Sequence, residues 1–209
     1  MKIKVCGMRD AENISELIQL KPDYLGFIFY GKSKRFVTNF PKLEIPSTIK
    51  KVGVFVNETV DNIIEIVEEN KLDAVQLHGN ESPEYIEELK VLLIKKVEIF
   101  KAFSVDDNFD FSKTEPYQKV CDYLLFDTKG KDYGGNGVKF NWQVLDNYKG
   151  NLPYLLSGGI SKKDAQALLL FLSKQEAEKC IGVDINSGFE IEPALKNIND
   201  IKEFKQNLK

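Results

Sequence analysis

Short runs rich in Val, Ile, Leu and Phe recur eight times along this 209-residue chain, at 2–6, 23–29, 51–57, 73–77, 96–102, 122–127, 153–157 and 180–185. They lack the polar alternation of half-exposed strands and read as parallel strands buried on both faces. Between them, apolar residues return at spacings of three and four, the mark of helices with one buried face. Ile14, Leu17, Ile18 and Leu20 follow the first run, Ile63, Ile64 and Val67 the third, and Ala165, Leu168, Leu169 and Leu172 the seventh. Asp10, Ser82 followed by Pro83, and Ser161 with Asp164 three residues on all stand where helix N-caps belong. Pro and Asn interrupt 30–50 and 103–121, so the second and fifth helices are expected to be short or irregular. The repeated strand–helix unit predicts an α/β fold, a (β/α)8 TIM barrel spanning 1–209 as one domain. An open doubly wound sheet usually has fewer strands at this length, and no GxGxxG follows the first run to support it.

Composition narrows the function. A formal net charge of -3, with acidic and basic residues interspersed, gives no basic face for nucleic acid. No apolar stretch approaches membrane-spanning length, and the first residues, MKIKVCGMRD, hold none of signal-peptide length. Three scattered cysteines, at 6, 121 and 180, suggest no disulfide framework, which fits a reducing cytoplasm. The single histidine, His78, leaves no cluster from which a zinc or iron site would be built, so no metal is expected.

Chemistry is expected where strands end, because barrel active sites gather at the carboxyl ends of the strands. Cys6 ends the first strand and Asp127 the sixth, a thiol and a carboxylate placed for proton transfer. Gly158 and Gly159 follow strand seven, and Asn186, Ser187 and Gly188 follow strand eight. Loops at these two positions often bind phosphate through backbone N–H groups and a short helix, which favours a small phosphorylated substrate. Arg35, just past strand two, has the planar fork that holds a carboxylate. His78 ends strand four, where a structural hydrogen-bonding role and a catalytic one are both open. Asp184, near the end of strand eight, suits either a loop cap or contact with substrate hydroxyls. Cys121 and Cys180 start strands at the opposite end and read as small buried hydrophobes. The glycine-dense segment 133–142 reads either as a closing lid or as a plain connection.

Taken in order, these segments resemble the phosphoribosylanthranilate isomerase family of tryptophan biosynthesis through nearly the whole chain. The likeness rests on Lys4-Val5-Cys6-Gly7-Met8, Ser33-Lys34-Arg35-Phe36-Val37, Val52-Gly53-Val54-Phe55-Val56-Asn57, Gln76-Leu77-His78-Gly79 and Phe126-Asp127. It continues through Gly134-Gly135-Asn136-Gly137, Ser157-Gly158-Gly159-Ile160 and Gly182-Val183-Asp184-Ile185-Asn186-Ser187-Gly188. Lys34, Ser157 and Asn186 depart from the commoner proline, alanine and serine. The resemblance implies a cofactor-free Amadori rearrangement of N-(5-phosphoribosyl)anthranilate. Asp127 would protonate the ring oxygen, Cys6 would take the C2 proton, and Arg35 would bind the anthranilate carboxylate. The two glycine loops would hold the phosphate, with Asp184 and His78 near the substrate. Assembly as a monomer or a homodimer is left open.

That mechanism makes opposite demands on its two groups. A thiol with an ordinary pKa of about 8.5 needs an electropositive site to serve as a base at neutral pH. Arg35 and the phosphate loops are the expected source of that field. Asp127, as an acid, needs burial or a neighbouring negative group. Two rivals compete: the related histidine-pathway isomerase, which carries an aspartate where Cys6 stands, and a silent barrel that only binds a sugar phosphate or a partner protein.

Overall fold

A computed structural model describes residues 1–128 and 140–208. Eight parallel strands close into a barrel: β1 (Lys2–Val5), β2 (Tyr24–Ile28), β3 (Lys50–Phe55), β4 (Ala74–Leu77), β5 (Glu98–Val105), β6 (Tyr123–Thr128), β7 (Tyr154–Leu156) and β8 (Cys180–Ile185). The barrel shuts by pairing β1 with β8, Lys4 lying opposite Asp184. All eight sequence runs become strands, with ends shifted by a few residues.

The helices are less regular than an eightfold repeat predicts. Among the described residues they are α1 (Ala11–Ile18), α2 (Val60–Asn70), α3 (Pro83–Leu92), α4 (Ala165–Leu172) and α5 (Ile198–Asn207). The expected caps form. Asp10 accepts from the Asn13 N–H at 2.8 Å, Ser82 from Tyr85 at 3.3 Å, and Asp164 reaches back to the Ser161 N–H at 2.7 Å. Each such cap is worth about 1 kcal/mol.

No helix follows β2, and this is where the strict repeat fails. Residues 29–49 form an irregular loop instead, joined to the end of β2 by one parallel bridge between Ile28 and Phe36, with the Val37 N–H bonded to the Ile28 carbonyl at 2.9 Å. Phe40 of that segment packs on Phe27, ring centroids 4.6 Å apart, and fills the place of the missing helix. After β5 the chain makes only a 3₁₀ turn, Phe111–Lys119, which contains Pro116. A proline inside a helix removes a hydrogen bond and clashes with the preceding turn. A second 3₁₀ stretch, Trp142–Asn147, precedes β7. The glycine-dense segment 133–142, read either as a lid or as a plain connection, lies mostly outside the described residues.

Alternation along the strands divides the packing. Ile3, Val5, Phe55, Leu77, Ile99, Phe126, Val183 and Ile185 face the helices and belong to the two larger apolar clusters. Tyr24, Val52, Ala74, Phe100, Leu125 and Leu155 form a third cluster across six strands, the floor of the barrel interior. Cys121 and Cys180 are buried free thiols, both pushed up to about 12 by that burial. No helix among the described residues is long and apolar enough to cross a membrane.

Candidate active site

Side chains two residues apart on a strand share a face, so the inward positions above the apolar floor open onto the carboxyl ends of the strands. One pocket occupies that end. Cys6, Arg35, His78, Asp127, Gly158, Gly159, Asp184, Asn186, Ser187 and Gly188 all line it, so every candidate read from the sequence converges there. The apolar side chains of Ile28, Val54 and Val56 line the wall from β2 and β3.

Cys6 continues β1, its N–H bonded to the Ile185 carbonyl at 2.9 Å. Room for its sulfur depends on Gly26 of β2. A Cβ there would stand 2.7 Å from Cys6 Sγ, closer than such atoms approach. The thiol is buried, and burial pushes its pKa up. Lys4, Asp184 and Lys196 also act on it, the two ammonium groups pulling it down and the carboxylate pushing it up. The net shift is upward, against the lowered thiol pKa that the sequence expectation asked of a base, and Lys4 and Lys196 join the expected Arg35 as the cations that oppose the rise.

Lys4 is the largest omission of the sequence reading. Its side chain is fully buried, and Nζ bonds Asp184 Oδ1 at 2.8 Å. Burial opposes the ammonium, but Asp184 and Cys6 outweigh it, so Lys4 titrates above the ordinary lysine range. Removing one partner of such a pair leaves an uncompensated buried charge and costs about 3–5 kcal/mol. A lysine two residues before Cys6, inside an otherwise apolar run, was the available signal. Ser157 Oγ lies 3.5 Å from the other Asp184 oxygen, so the residue that departs from the family's usual alanine reaches the same carboxylate.

Asp127 is the penultimate residue of β6, its Oδ1 accepting from the Thr128 N–H at 2.9 Å. Its Oδ2 stands 3.4 Å from His78 Nε2. The other ring nitrogen, Nδ1, lies 3.2 Å from the Gln76 amide nitrogen. With Gln76 donating, Nδ1 is the acceptor and the ring proton belongs on Nε2, the nitrogen nearer Asp127. His78 is therefore a direct neighbour of Asp127. Gln76, two residues earlier on β4, is a second omission, and the period of two places it on the same face.

Arg35 is held differently from its expected role. Its Nε and Nη2 donate to Glu190 Oε1 and Oε2 at 2.8 and 2.6 Å, so a carboxylate of the chain itself already fills the fork. Glu190 begins the hairpin β9 (Glu190–Glu192) and β10 (Leu195–Lys196) that follows β8. Lys196 Nζ donates to Glu190 Oε1 at 2.6 Å and to Asn186 Oδ1 at 2.8 Å. Asn13 of α1 clasps the Lys196 backbone with two hydrogen bonds, at 2.9 and 2.7 Å. Burial works against the Glu190 carboxylate, and Arg35 and Lys196 overcome it, holding Glu190 below the usual range. Nothing in the local sequence around 190–196 announces this network, because its partners lie about 155 to 183 positions away in the chain for Arg35 and Asn13.

The glycine loops form the remaining wall. Gly158 has φ +91°, and a Cβ on it would meet Thr128 Oγ1 at 2.1 Å. A side chain on Gly188 would strike the Ile160 carbonyl at 2.1 Å, so the two loops touch and leave backbone facing the pocket. A 3₁₀ turn, Ser187–Phe189, follows β8 directly. Asn186 gives its oxygen to Lys196, which turns its amide nitrogen into the group that can donate.

Comparison with known proteins agrees with this arrangement. Residues 3–207 match the family model described as N-(5'phosphoribosyl)anthranilate (PRA) isomerase. The chain is 46% identical over 213 residues to N-(5'-phosphoribosyl)anthranilate isomerase of Parabacteroides distasonis, covering 100% of this chain and 93% of that one. The crystal structure of the Thermotoga maritima enzyme superposes with a TM-score of 0.85 at 30% identity, covering 100% and 98% of the two chains. A phosphoribosylanthranilate isomerase solved with reduced 1-(o-carboxyphenylamino)-1-deoxyribulose 5-phosphate superposes with a TM-score of 0.79 at 27% identity, with 100% and 98% covered. With a closed eightfold barrel, a pocket at its carboxyl end and this match over the full chain, the protein belongs to the N-(5'-phosphoribosyl)anthranilate isomerase family.

Proposed function

We propose that the pocket performs the rearrangement for which the family is named, converting N-(5-phosphoribosyl)anthranilate to 1-(2-carboxyphenylamino)-1-deoxyribulose 5-phosphate in tryptophan biosynthesis, by general acid–base catalysis. The observation that carries this reading is that Cys6 and Asp127 line one pocket together with the two glycine loops.

Asp127 gives its proton to the furanose ring oxygen while the anthranilate nitrogen pushes its lone pair toward C1. The ring opens to a protonated Schiff base. The Cys6 thiolate then removes the C2 proton, and the electron pair left behind neutralises the nitrogen and forms an enolamine. Tautomerisation of the enolamine gives the ketone. Asp127 ends the cycle one proton short and Cys6 one proton richer, so the two exchange a proton before the next turnover. A positioned acid or base contributes about 10²–10⁴-fold each. His78, 3.4 Å from Asp127, orients that carboxyl group. The backbone around Gly158, Gly159, Asn186, Ser187 and Gly188 receives the phosphate, and Asp184 stands near the sugar.

Arg35 faces the anthranilate carboxylate. Because Glu190 holds two of its nitrogens, the substrate meets either the remaining Nη1 or a fork released from Glu190. The test is to generate phosphoribosylanthranilate in situ and follow loss of its fluorescence on adding this protein. Rapid loss is expected. No loss at high enzyme concentration would leave the silent-barrel reading standing.

A further inference from the structure

A lysine fully enclosed in a barrel interior, with no route for its stem to carry the charge to water, needs a reason to remain a lysine. Stability is a poor one. Exchanging both members of a buried ion pair for apolar residues is often neutral or stabilising, so the pair as a whole is not kept for stability. Lys4 is such a residue, with no exposed surface. Its place in the sheet supplies a reason. Lys4 and Cys6 alternate onto the same inward face of β1, and Asp184 is the register partner of Lys4 across the β1–β8 pair. The ammonium, with three donors, thus stands between a carboxylate that it bonds at 2.8 Å and the thiol at the pocket floor.

We infer that Lys4 is a positioning residue for the Cys6 thiol: its buried ammonium, anchored by Asp184, sets how readily that thiol gives up its proton. The inference rests on the reading of Cys6 as the base and deepens it.

Four charged groups face the thiol. Lys4 comes from β1, Asp184 from β8, Lys196 from β10 and Arg35 from the segment after β2. Lys196 and Arg35 both converge on Glu190, which takes hydrogen bonds from each and offsets part of their field. Lys4 and Asp184 meet in a 2.8 Å ion pair beside the thiol, the ammonium favouring the thiolate and the carboxylate opposing it. The two ends therefore act in opposite directions on one group, and that opposition is what a merely structural pair would not reproduce.

The experiment measures the rate of iodoacetamide alkylation of Cys6 against pH in the full-length protein, with the modified peptide identified by mass so that Cys121 and Cys180 do not contribute. Lys4→Met should raise the pH midpoint of alkylation by about one to three units, the effect of a near charge on its neighbour. Asp184→Asn keeps the ammonium and removes its anchor charge, so its midpoint should fall below that of the parent. Unmoved midpoints, or shifts of both variants in the same direction, would overturn the assignment. If Lys4→Met does not fold, the double variant Lys4→Met/Asp184→Asn, which leaves no unpaired buried charge, takes its place: a midpoint above that of Asp184→Asn supports the inference, and one equal to it or below it overturns it. The pH profile of kcat/KM is read separately. A thiol midpoint that moves in Lys4→Met while that profile stays in place upholds the tuning by Lys4 and removes Cys6 as the base.

Discussion

Val52, Ala74, Leu125 and Leu155 point into the barrel beside Tyr24 and Phe100 and close it with an apolar floor. The inward positions two residues further along the same strands, Val54, Gln76, Asp127 and Ser157, line the pocket instead. The backbone geometry is shared, and only the side chains differ. Below, burial of apolar area holds the strands together at about 25 cal/mol per Å². Above, polar groups are buried at a cost that only hydrogen bonds and ion pairs offset. The lower layer should therefore answer to substitution in stability, and the upper layer in activity.

Paired substitutions test that division most strongly. Cys6→Ala should lower kcat by about 10²–10⁴ with little change in Tm, the usual worth of a positioned base. Cys6→Ser should fail as well, because a hydroxyl is far harder to deprotonate. Leu125→Ala should do the reverse, costing about 2–5 kcal/mol of stability while the folded fraction keeps its turnover. Near parental turnover in Cys6→Ser would remove the thiolate base.

The phosphate loops offer the next largest effect. Inorganic phosphate at about a hundred times its Kd should stabilise the parent by about 2.7 kcal/mol, by mass action on the native state alone. Gly158→Val places a Cβ into Thr128 at a backbone angle that valine rejects, so the phosphate-dependent rise in Tm should vanish. Protection that survives this change would put the anion elsewhere.

Arg35 tests whether the far side of the pocket reads the anthranilate carboxylate. Losing a charge-assisted hydrogen bond costs roughly 1.5–3 kcal/mol, so Arg35→Ala should reduce kcat/KM by about one to two orders of magnitude. Arg35→Lys keeps charge without the fork and should fall between the two. Equal values in all three proteins would take Arg35 out of the substrate pocket.

The smallest expected effect is a pH dependence of stability. Glu190 has a folded pKa below its ordinary value of 4.5. Its contribution is therefore complete above that value and is lost as pH falls through the depressed folded pKa. Glu190→Gln should flatten the acid limb of a Tm-against-pH curve below about 4.5 relative to the parent. An unchanged acid limb would show that the Arg35–Glu190–Lys196 cluster is not linked to folding.

Legibility followed the range of the interaction. Strands, N-caps and the proline-broken intervals are decided within a few residues, so they could be read from the chain. The missing helix after β2 was legible only as an irregularity. That Phe40 would fill its place depended on Phe27 lying across the segment. Within the pocket, residues at strand ends were found because position in the repeat predicts where they point. Gln76 and Lys4 obey the same alternation but stand within their strands, where position in the repeat singles out no side chain, and their partners come from the closing β1–β8 pair and from the ring of His78.

The order of strands, the (β/α)8 architecture and the convergence of Cys6, Asp127 and the glycine loops followed from the sequence itself, because a right-handed repeat of buried strands has few ways to close. Tertiary structure decided the partners. Lys4 meets Asp184 only because the first and last strands pair to shut the barrel. Arg35 meets Glu190 only because the segment after β2 and the hairpin after β8 lie beside each other around that same closure. Charge signs and pKa directions at Cys6 depend on distances between residues far apart in the chain. No local pattern encodes such distances, since electrostatic energy depends on separation and burial in the folded state.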